Sequence, residues 1–157
     1  MNPEVMTGLF GVIAIILVGA LAWIKKLQDR RQLKKSVRPQ LVIERDVTSN
    51  LSLKIIFANK GLGPAYIQKF DVLVDGICFS GLKSFTDALN KTGLKTSDVI
   101  FYTPVYDECL EINAKSVLLE ANPLNNSEHE RILKAVSKIN FRIEYASMYG
   151  EEFILSE

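Results

Sequence analysis

The sequence has few of the residues on which catalytic and metal sites depend. His129 is the only histidine among 157 residues, which excludes every mechanism that needs two, such as that of the H-E-x-x-H zinc proteases. Cys78 and Cys109 are the only cysteines and lack the C-x-x-C spacing of a zinc site; in a reducing cytoplasm we expect both to be unpaired core residues. Neither G-x-x-x-x-G-K-S/T nor G-x-G-x-x-G occurs. The sequence therefore predicts no catalytic residue, metal or cofactor.

The sequence also lacks any ionisable side chain from Val5 to Ile24. A helix of about 20 residues rises about 30 Å, the thickness of the hydrocarbon core of a bilayer. This run is apolar on all sides, whereas a buried core helix normally keeps a polar stripe. Trp23 lies at its end, where an amphipathic ring favours the level of the headgroups. We therefore predict that residues 5–24 form a transmembrane helix.

Basic residues are concentrated directly after this run, where Asp29 is the single acid before Pro39. They are Lys25, Lys26, Arg30, Arg31, Lys34, Lys35 and Arg38. Cationic residues beside a span stay on the cytoplasmic side, so we expect residues 1–4 to be extracytoplasmic and the chain after the span to be cytoplasmic. The same side chains attract the anionic lipids of the inner leaflet. We predict that residues 25–39 form a basic juxtamembrane helix or linker along that leaflet.

The rest of the chain has the opposite charge. Beyond Pro39 lie 12 of the 19 basic and 16 of the 18 acidic residues, a net charge of about −4 against +1 for the whole chain. Phosphate backbones repel a mildly acidic domain, so we expect no nucleic-acid polymer among its partners. Pro39 cannot continue a helix, and residues 40–157 are enough for one soluble domain.

Alternation of apolar and polar residues predicts that this domain is mainly β. In LSLKIIFAN at 51–59, Leu53, Ile55 and Phe57 fall on one face and Lys54 on the other. Asp75-Gly76 supplies two residues that tolerate positive φ and predicts a hairpin between residues 70–74 and 77–79. Further strands are predicted at 41–47, at 98–106 with an edge or bend at Pro104, at 114–121 and at 141–145, before a last hairpin at Gly150.

Two short helices complete the pattern. Helical spacing up to Gly93 predicts the first of them from Leu82, Phe85 and Leu89. The second begins with a capping box at 127–130 and has its inward apolar positions at Ile132, Val136 and Ile139. Seven or so short strands with turns between them and two helices indicate a β-sandwich.

The loop after residue 58 carries a family resemblance. It reads Asn59-Lys-Gly61-Leu-Gly63-Pro64-Ala65, and its two glycines and proline must form a tight, specific loop. With Tyr145-Ala-Ser147-Met-Tyr149-Gly150-Glu151, this N-x-G-x-G-P-A motif resembles single-pass bacterial membrane proteins that have an immunoglobulin-like β-sandwich after the anchor. The resemblance implies that fold and a bacterial inner-membrane location. It implies no activity, since these motifs shape a loop.

The leading functional hypothesis is a non-catalytic interaction module. A cytoplasmic β-sandwich tethered to the inner membrane would hold a protein partner near the bilayer, as its fold commonly presents loops or edge strands to partners. The candidate partner surface combines the loop at 61–65 with the turn at 145–149, and its aromatic residues are Tyr66, Tyr145 and Tyr149. Packing in the core is the more usual role of such tyrosines and is the competing interpretation.

Two other functions stay open. A ligand-gated effector would bind a small anionic messenger, such as a cyclic nucleotide used in antiviral defence, and act by oligomerisation of its transmembrane helix. Small residues in the span permit a homo-oligomer, although no clean G-x-x-x-G occurs. The effector requires a basic pocket among Lys54, Lys60, Lys69, Lys83, Arg131 or Arg142. A hydrolase built on Ser80 or Ser147 would require His129 beside the nucleophile.

Overall fold

The computed structural model describes residues 16–29, 32, 36–47 and 52–157 of the chain. The chain divides into two compact units, Met1–Ser36 and Val37–Glu157. In the first unit, residues 16–29 are helical (α1) and their side chains are exposed. Within the described ranges, no helix has both the length and the apolar character that crossing a membrane requires. The predicted span at 5–24 begins outside these ranges. Some of the predicted membrane contacts also lie outside them, namely Val5, Arg30, Arg31, Lys34 and Lys35.

The second unit is mainly β, which confirms the prediction from the alternating pattern. Its strands are β1 (Leu41–Val47), β2 (Leu53–Asn59), β3 (Ala65–Val74), β4 (Ile77–Ser80), β5 (Ile100–Phe101), β6 (Cys109–Leu110), β7 (Lys115–Ala121), β8 (Ile139–Ser147) and β9 (Glu152–Ser156). Helix α2 (Ser84–Thr92) follows β4, and helix α3 (Asn126–Val136) follows β7.

The strands form two antiparallel sheets. The first is four-stranded with the order β1-β2-β7-β5, and the second is five-stranded with the order β4-β3-β8-β9, where β6 also pairs with β3. The predicted hairpin joins β3 to β4 through Asp75 and Gly76, whose φ angles are 50° and 80°. β4 and β6 pair with different parts of the same edge of β3. A gap between them therefore lies over the middle of β3.

The two sheets share one hydrophobic core. Leu53, Ile55 and Phe57 of β2 are buried, as their alternation predicts, and they belong to the same cluster as Phe141 and Ile143 of β8. Aromatic rings join the layers at ring-centroid distances of 5.3–5.8 Å, and they belong to Phe70, Phe85, Phe101 and Phe141. Because these rings come from β3, α2, β5 and β8, the core positions α2 against both sheets.

Several predicted boundaries are wrong. The strand predicted at 98–106 is reduced to the two residues of β5, and a turn follows at residues 106–107. Leu82, which was assigned to the first helix, precedes α2 and is exposed. Ile139 begins β8 instead of ending α3. Each of these residues fits a local apolar pattern, but strand pairing decides where the element begins and ends.

The cap of α3 lies two residues before the predicted one. Asn125, and not Ser127, is the N-cap, and its side-chain oxygen accepts a hydrogen bond from the backbone N–H of Glu128 at 2.9 Å. The carboxylate of Glu128 in turn accepts from the backbone N–H of Leu124 at 2.9 Å. This pair satisfies two backbone donors in the manner of a capping box.

Both cysteines are free, but neither is a core residue. Cys78 lies on β4 and Cys109 on β6, and both side chains are exposed. The expectation of buried thiols is therefore wrong. Both cysteines lie on short strands that pair with the same edge of β3. Successive side chains of a strand point to opposite faces, so every second one faces away from the core.

Candidate functional site

Asn59 organises the loop that the sequence singles out. It ends β2, and its side chain is fully buried. The amide oxygen accepts from the backbone N–H groups of Gln40 at 3.1 Å and Gly61 at 3.0 Å. The amide nitrogen donates to the carbonyl oxygens of Gly63 at 2.8 Å and Leu110 at 3.0 Å. The side chain thus uses all of its hydrogen-bonding capacity to join three chain segments.

Residues 59–63, hereafter the Asn59 loop, hold residues 37–40, hereafter the leading segment. The backbone N–H groups of Lys60 and Leu62 donate to the carbonyl oxygens of Gln40 and Arg38, both at 2.8 Å. A Cβ added to Gly61 would overlap the backbone of Arg38 and Gln40, and one added to Gly63 would overlap the carbonyl group of Val37. Both positions therefore require glycine because two backbones approach closely.

Arg38 fastens the leading segment to the opposite sheet. Its guanidinium donates to both carboxylate oxygens of Glu151, at 3.2 and 3.3 Å, and its Cζ lies 5.6 Å from the ring centroid of Phe153. Sequence reasoning placed Arg38 among the inner-leaflet contacts. In the structure its guanidinium pairs with the β8–β9 turn, so we assign it to the folded domain.

The three tyrosines of the predicted partner surface do not share one environment. Tyr145 is buried and stacks on Phe153 with ring centroids 5.4 Å apart, while its hydroxyl accepts from the backbone N–H of Leu41 at 3.4 Å. It is a core residue, which corrects its assignment to an exposed surface. Tyr66 on β3 is half-buried, and Tyr149 in the β8–β9 turn is exposed. Of the three, Tyr149 is the most exposed, at 44%.

A cleft of about 220 Å³ opens at the gap between β4 and β6, and we call it the side cleft. Its floor carries Asp71, a buried carboxylate on β3. Lys69 Nζ donates to Asp71 Oδ2 and Ser80 Oγ donates to Asp71 Oδ1, both at 2.6 Å. The buried carboxylate fixes the positions of Lys69 and Ser80, which line the cleft and suit recognition of a polar group of a ligand or partner.

The charges of the floor stabilise one protonation state. Burial raises the pKa of Asp71, but the hydrogen bonds from Lys69 and Ser80 and the positive charges of Lys69 and Arg142 lower it below its usual value overall. The hydrogen bond to Asp71 raises the pKa of Lys69. At neutral pH the floor is therefore an ion pair with a hydroxyl bound to it.

The rim of the side cleft is apolar. Leu82 is 78% exposed and Tyr106 is 74% exposed, and Val105 lies beside them in the segment that follows Pro104. Sequence reasoning missed this site, because Leu82 fitted the helix pattern and residues 105 and 106 fitted a strand. Pro104 was the available signal, since it indicated a bend that ends the strand before those two residues.

A second, wider groove of about 510 Å³ lies along β8 and β9. Glu144, Glu152 and Ile154 line it together with Gln68 of β3. The Glu144 carboxylate pairs with Arg142 at 3.2 Å. This groove is acidic, in keeping with the charge of the domain, and it has fewer exposed apolar side chains than the rim of the side cleft.

The candidate cations of the effector hypothesis are mostly engaged in ion pairs. Five of its six candidate cations pair with five different acids: Lys54 with Glu120, Lys60 with Glu44, Lys69 with Asp71, Arg131 with Asp98 and Arg142 with Glu144. These pairs lie on both sheets and on α3. Of these cations, Lys69 and Arg142 both act on Asp71, while the others lie apart from them, so the basic pocket stays a prediction of the effector hypothesis.

The two candidate serines serve as hydrogen-bonding groups within the fold. Ser147 Oγ accepts from the backbone N–H groups of Tyr149 at 3.3 Å and Glu151 at 3.2 Å, which closes the β8–β9 turn. Ser80 binds the floor of the side cleft, as described above. His129 lies in the first turns of α3. In the part of the chain that the structure describes, no cluster of three or more His, Cys, Asp and Glu side chains is suited to a metal ion.

No protein-family model matches the chain, and no curated protein matches it. The Asn59 loop, the side cleft and the sequence around α1 are the features of the chain that bear on its function.

Proposed function

We propose that the chain is a non-catalytic, membrane-tethered interaction module that holds a protein partner at the bacterial inner membrane. The observation that carries the proposal is the side cleft, where the exposed side chains of Leu82 and Tyr106 flank the hydrogen-bonded carboxylate of Asp71. A mainly apolar lining with a few fixed polar groups is the usual composition of a binding pocket. A partner side chain with an apolar body and a polar end fits this chemistry.

The anchor is the second part of the proposal. Apolar side chains of α1 are exposed on all sides in the described part of the helix, at Ile16, Leu17, Val18, Leu21, Trp23 and Ile24. Exposure of this apolar surface to water is unfavourable, whereas lipid or a neighbouring helix would cover it. With the uncharged residues that precede it, this helix is the proposed span at 5–24. The basic residues after it orient the domain towards the cytoplasm.

The third part of the proposal is an immunoglobulin-like β-sandwich. With β1, β2, β3, β4, β5, β7, β8 and β9 taken as strands A, B, C, C′, D, E, F and G, the two sheets have the orders ABED and C′CFG. Immunoglobulin domains use the same orders. This agreement, together with the N-x-G-x-G-P-A and Y-x-S-x-Y-G-E motifs, supports kinship with the single-pass bacterial membrane proteins that the sequence resembles.

Native mass spectrometry of the full-length protein, extracted gently from its own membranes, tests the proposal. We expect a co-purifying protein at a fixed stoichiometry. The double variant Leu82→Ser, Tyr106→Ser removes the apolar rim and should lose that protein. Leu124→Ser is the matched control, because Leu124 is an exposed leucine, 91% against 78% for Leu82, that lies outside the side cleft.

Two results would contradict the proposal. Retention of the partner by the double variant would exclude the side cleft as the contact. A homo-oligomer that carries a small extra mass and no second protein would instead favour the ligand-gated effector, assembled through its transmembrane helix.

A further inference from the structure

Four exposed side chains gather at one end of the domain, and we call them the apolar tip. They are Leu62, Ile112, Met148 and Tyr149, which are 67%, 48%, 53% and 44% exposed. They come from the β2–β3 loop, the turn before β7 and the β8–β9 turn. At this end of the domain they form an exposed apolar surface that is not part of the core.

Backbone contacts bring these three loops together. The N–H of Asn113 donates to the carbonyl oxygen of Asn59 at 2.9 Å, which places the turn before β7 beside the Asn59 loop. Ala65 pairs with Ser147, which places the β8–β9 turn beside the same loop. The apolar tip is therefore a property of the assembled end of the domain and not of one flexible loop.

The leading segment lies at this same end. Leu62, a tip residue, donates its backbone N–H to the carbonyl oxygen of Arg38, and Arg38 binds Glu151 in the β8–β9 turn. In the sequence, the basic run that ends at Lys35 lies two residues before Val37. The chain thus leads from the proposed anchor into the domain beside the apolar tip.

The chemistry of the apolar tip fits the surface of a bilayer. A tyrosine, with an apolar ring and a polar hydroxyl, favours the headgroup level, and leucine, isoleucine and methionine favour the adjacent apolar layer. The nearby carboxylate of Glu151 is paired with Arg38, which reduces its repulsion from anionic lipids. A short tether gives the domain a high effective concentration at the membrane, so even weak insertion is sufficient for docking.

We infer that the apolar tip docks into the headgroup layer of the membrane that anchors the chain. This inference rests on the proposed membrane anchor. Docking in this way holds the Asn59 loop and the β8–β9 turn against the bilayer and keeps the opposite end, with the β3–β4 turn and Leu124, away from it. A tethered module oriented in this way presents its side cleft along the membrane surface.

Fluorescence quenching in reconstituted vesicles tests the inference on the full-length chain. In a Cys78→Ser, Cys109→Ser background, an environment-sensitive dye is attached at Met148→Cys or, as the matched control, at Leu124→Cys, which replaces a residue that is 91% exposed. Vesicles of phosphatidylethanolamine and phosphatidylglycerol carry nitroxide lipids that quench near the headgroups. We expect a blue shift and loss of emission at position 148 and neither change at position 124. In a protein labelled at Ile112→Cys, the additional substitutions Leu62→Ser and Met148→Ser should restore the emission.

Trp23 separates failure of the anchor from failure of docking, because it is the only tryptophan of the chain. Quenching of Trp23 by brominated lipids, without quenching at position 148, would leave the anchor intact and overturn docking of the tip. Absence of quenching at both positions would overturn the proposed anchor and the inference together. A blue shift at position 148 that grows with protein density, without nitroxide quenching, would show a second copy on the tip and also overturn the inference.

Discussion

The side-chain oxygen of Asn59 accepts a hydrogen bond from the backbone N–H of Gln40 at 3.1 Å, and so ties the end of β2 to the segment that precedes β1. The same amide binds Gly61, Gly63 and Leu110, and no part of it is exposed to solvent. If one member of a buried hydrogen-bond network is removed, its partners lose their hydrogen bonds and cannot replace them with water. Such networks are therefore sensitive to substitution. Asn59 therefore controls how the chain enters the domain.

Asn59→Asp should destabilise the domain in a pH-dependent way. The substitution keeps the acceptor for Gln40 but places a carboxylate oxygen against the carbonyl oxygens of Gly63 and Leu110. This repulsion and the burial raise the pKa of the new carboxyl group. As the pH falls through that raised pKa, the carboxyl group becomes protonated and can donate a hydrogen bond, so the lost stability returns. At neutral pH we expect a loss on the order of 3 kcal/mol in urea unfolding followed by circular dichroism. A loss that does not change with pH would contradict this account.

Gly63→Ala should disrupt the contact between the Asn59 loop and the leading segment. The added Cβ would overlap the carbonyl group of Val37, and backbone atoms cannot yield as a flexible side chain can. We expect a loss of about 1–3 kcal/mol and faster hydrogen exchange at the amides of Lys60 and Leu62. Leu62→Ala is the control in the same loop, because it truncates an exposed side chain and should leave stability within about 0.5 kcal/mol.

Asp71→Asn should lower stability at neutral pH and lose its effect in acid. Because the folded pKa of Asp71 is lowered, its contribution is present above the unfolded pKa of about 3.9 and disappears as the pH falls through the folded value. We expect a difference of about 1–3 kcal/mol from the unmodified chain near pH 7. Urea unfolding at a series of pH values measures it. Ser80→Ala, which removes one hydrogen bond and keeps the charge, should have a smaller effect.

Arg45→Lys should weaken the contact between β1 and α3. The guanidinium donates to the carbonyl oxygen of Val136 at 3.3 Å, near the C-terminus of α3, and to that of Ile139 at 2.7 Å, and it also pairs with Glu157 at 2.6 Å. A lysine ammonium keeps the charge but cannot reproduce this planar fork. We expect a loss of about 1 kcal/mol in unfolding free energy. Stability equal to that of the unmodified chain would show that charge alone is sufficient.

Both cysteines should react with a thiol reagent in the folded protein. Cys78 and Cys109 are free and exposed, so a chromogenic disulfide reagent should titrate two thiols without denaturant. Cys78→Ser and Cys109→Ser should each remove one of them. Reaction of either thiol only after unfolding would contradict its exposed position.

Local patterns predicted much of the fold. The alternation of Leu53, Ile55 and Phe57 identified the buried face of β2, because side chains of a strand point to opposite sides in turn. Asp75-Gly76 predicted the β3–β4 turn, because few residues adopt positive φ. These features depend on neighbours in the sequence, so no knowledge of the tertiary structure was needed.

Other features had no local signal. β6 is a two-residue strand, too short to show any periodicity, and it forms because Cys109 and Leu110 reach the edge of β3. Asn125 and Ser127 are both good helix caps, and the backbone position decided between them. Tyr145 and Tyr149 stand four residues apart in one motif, but one lies in the core and the other in an exposed turn.

The sequence by itself determined the mainly β character, the uncharged run before the basic segment and the need for glycine in the Asn59 loop, because each depends on local backbone geometry or on composition. Tertiary structure decided the side cleft and the apolar tip. Leu82 and Tyr106 line one cleft only because β4 and β6 cover different parts of β3, and the loops that carry Leu62 and Met148 are neighbours because Ala65 pairs with Ser147. Pairing between strands far apart in the sequence depends on the packing of the whole core, which no single segment specifies.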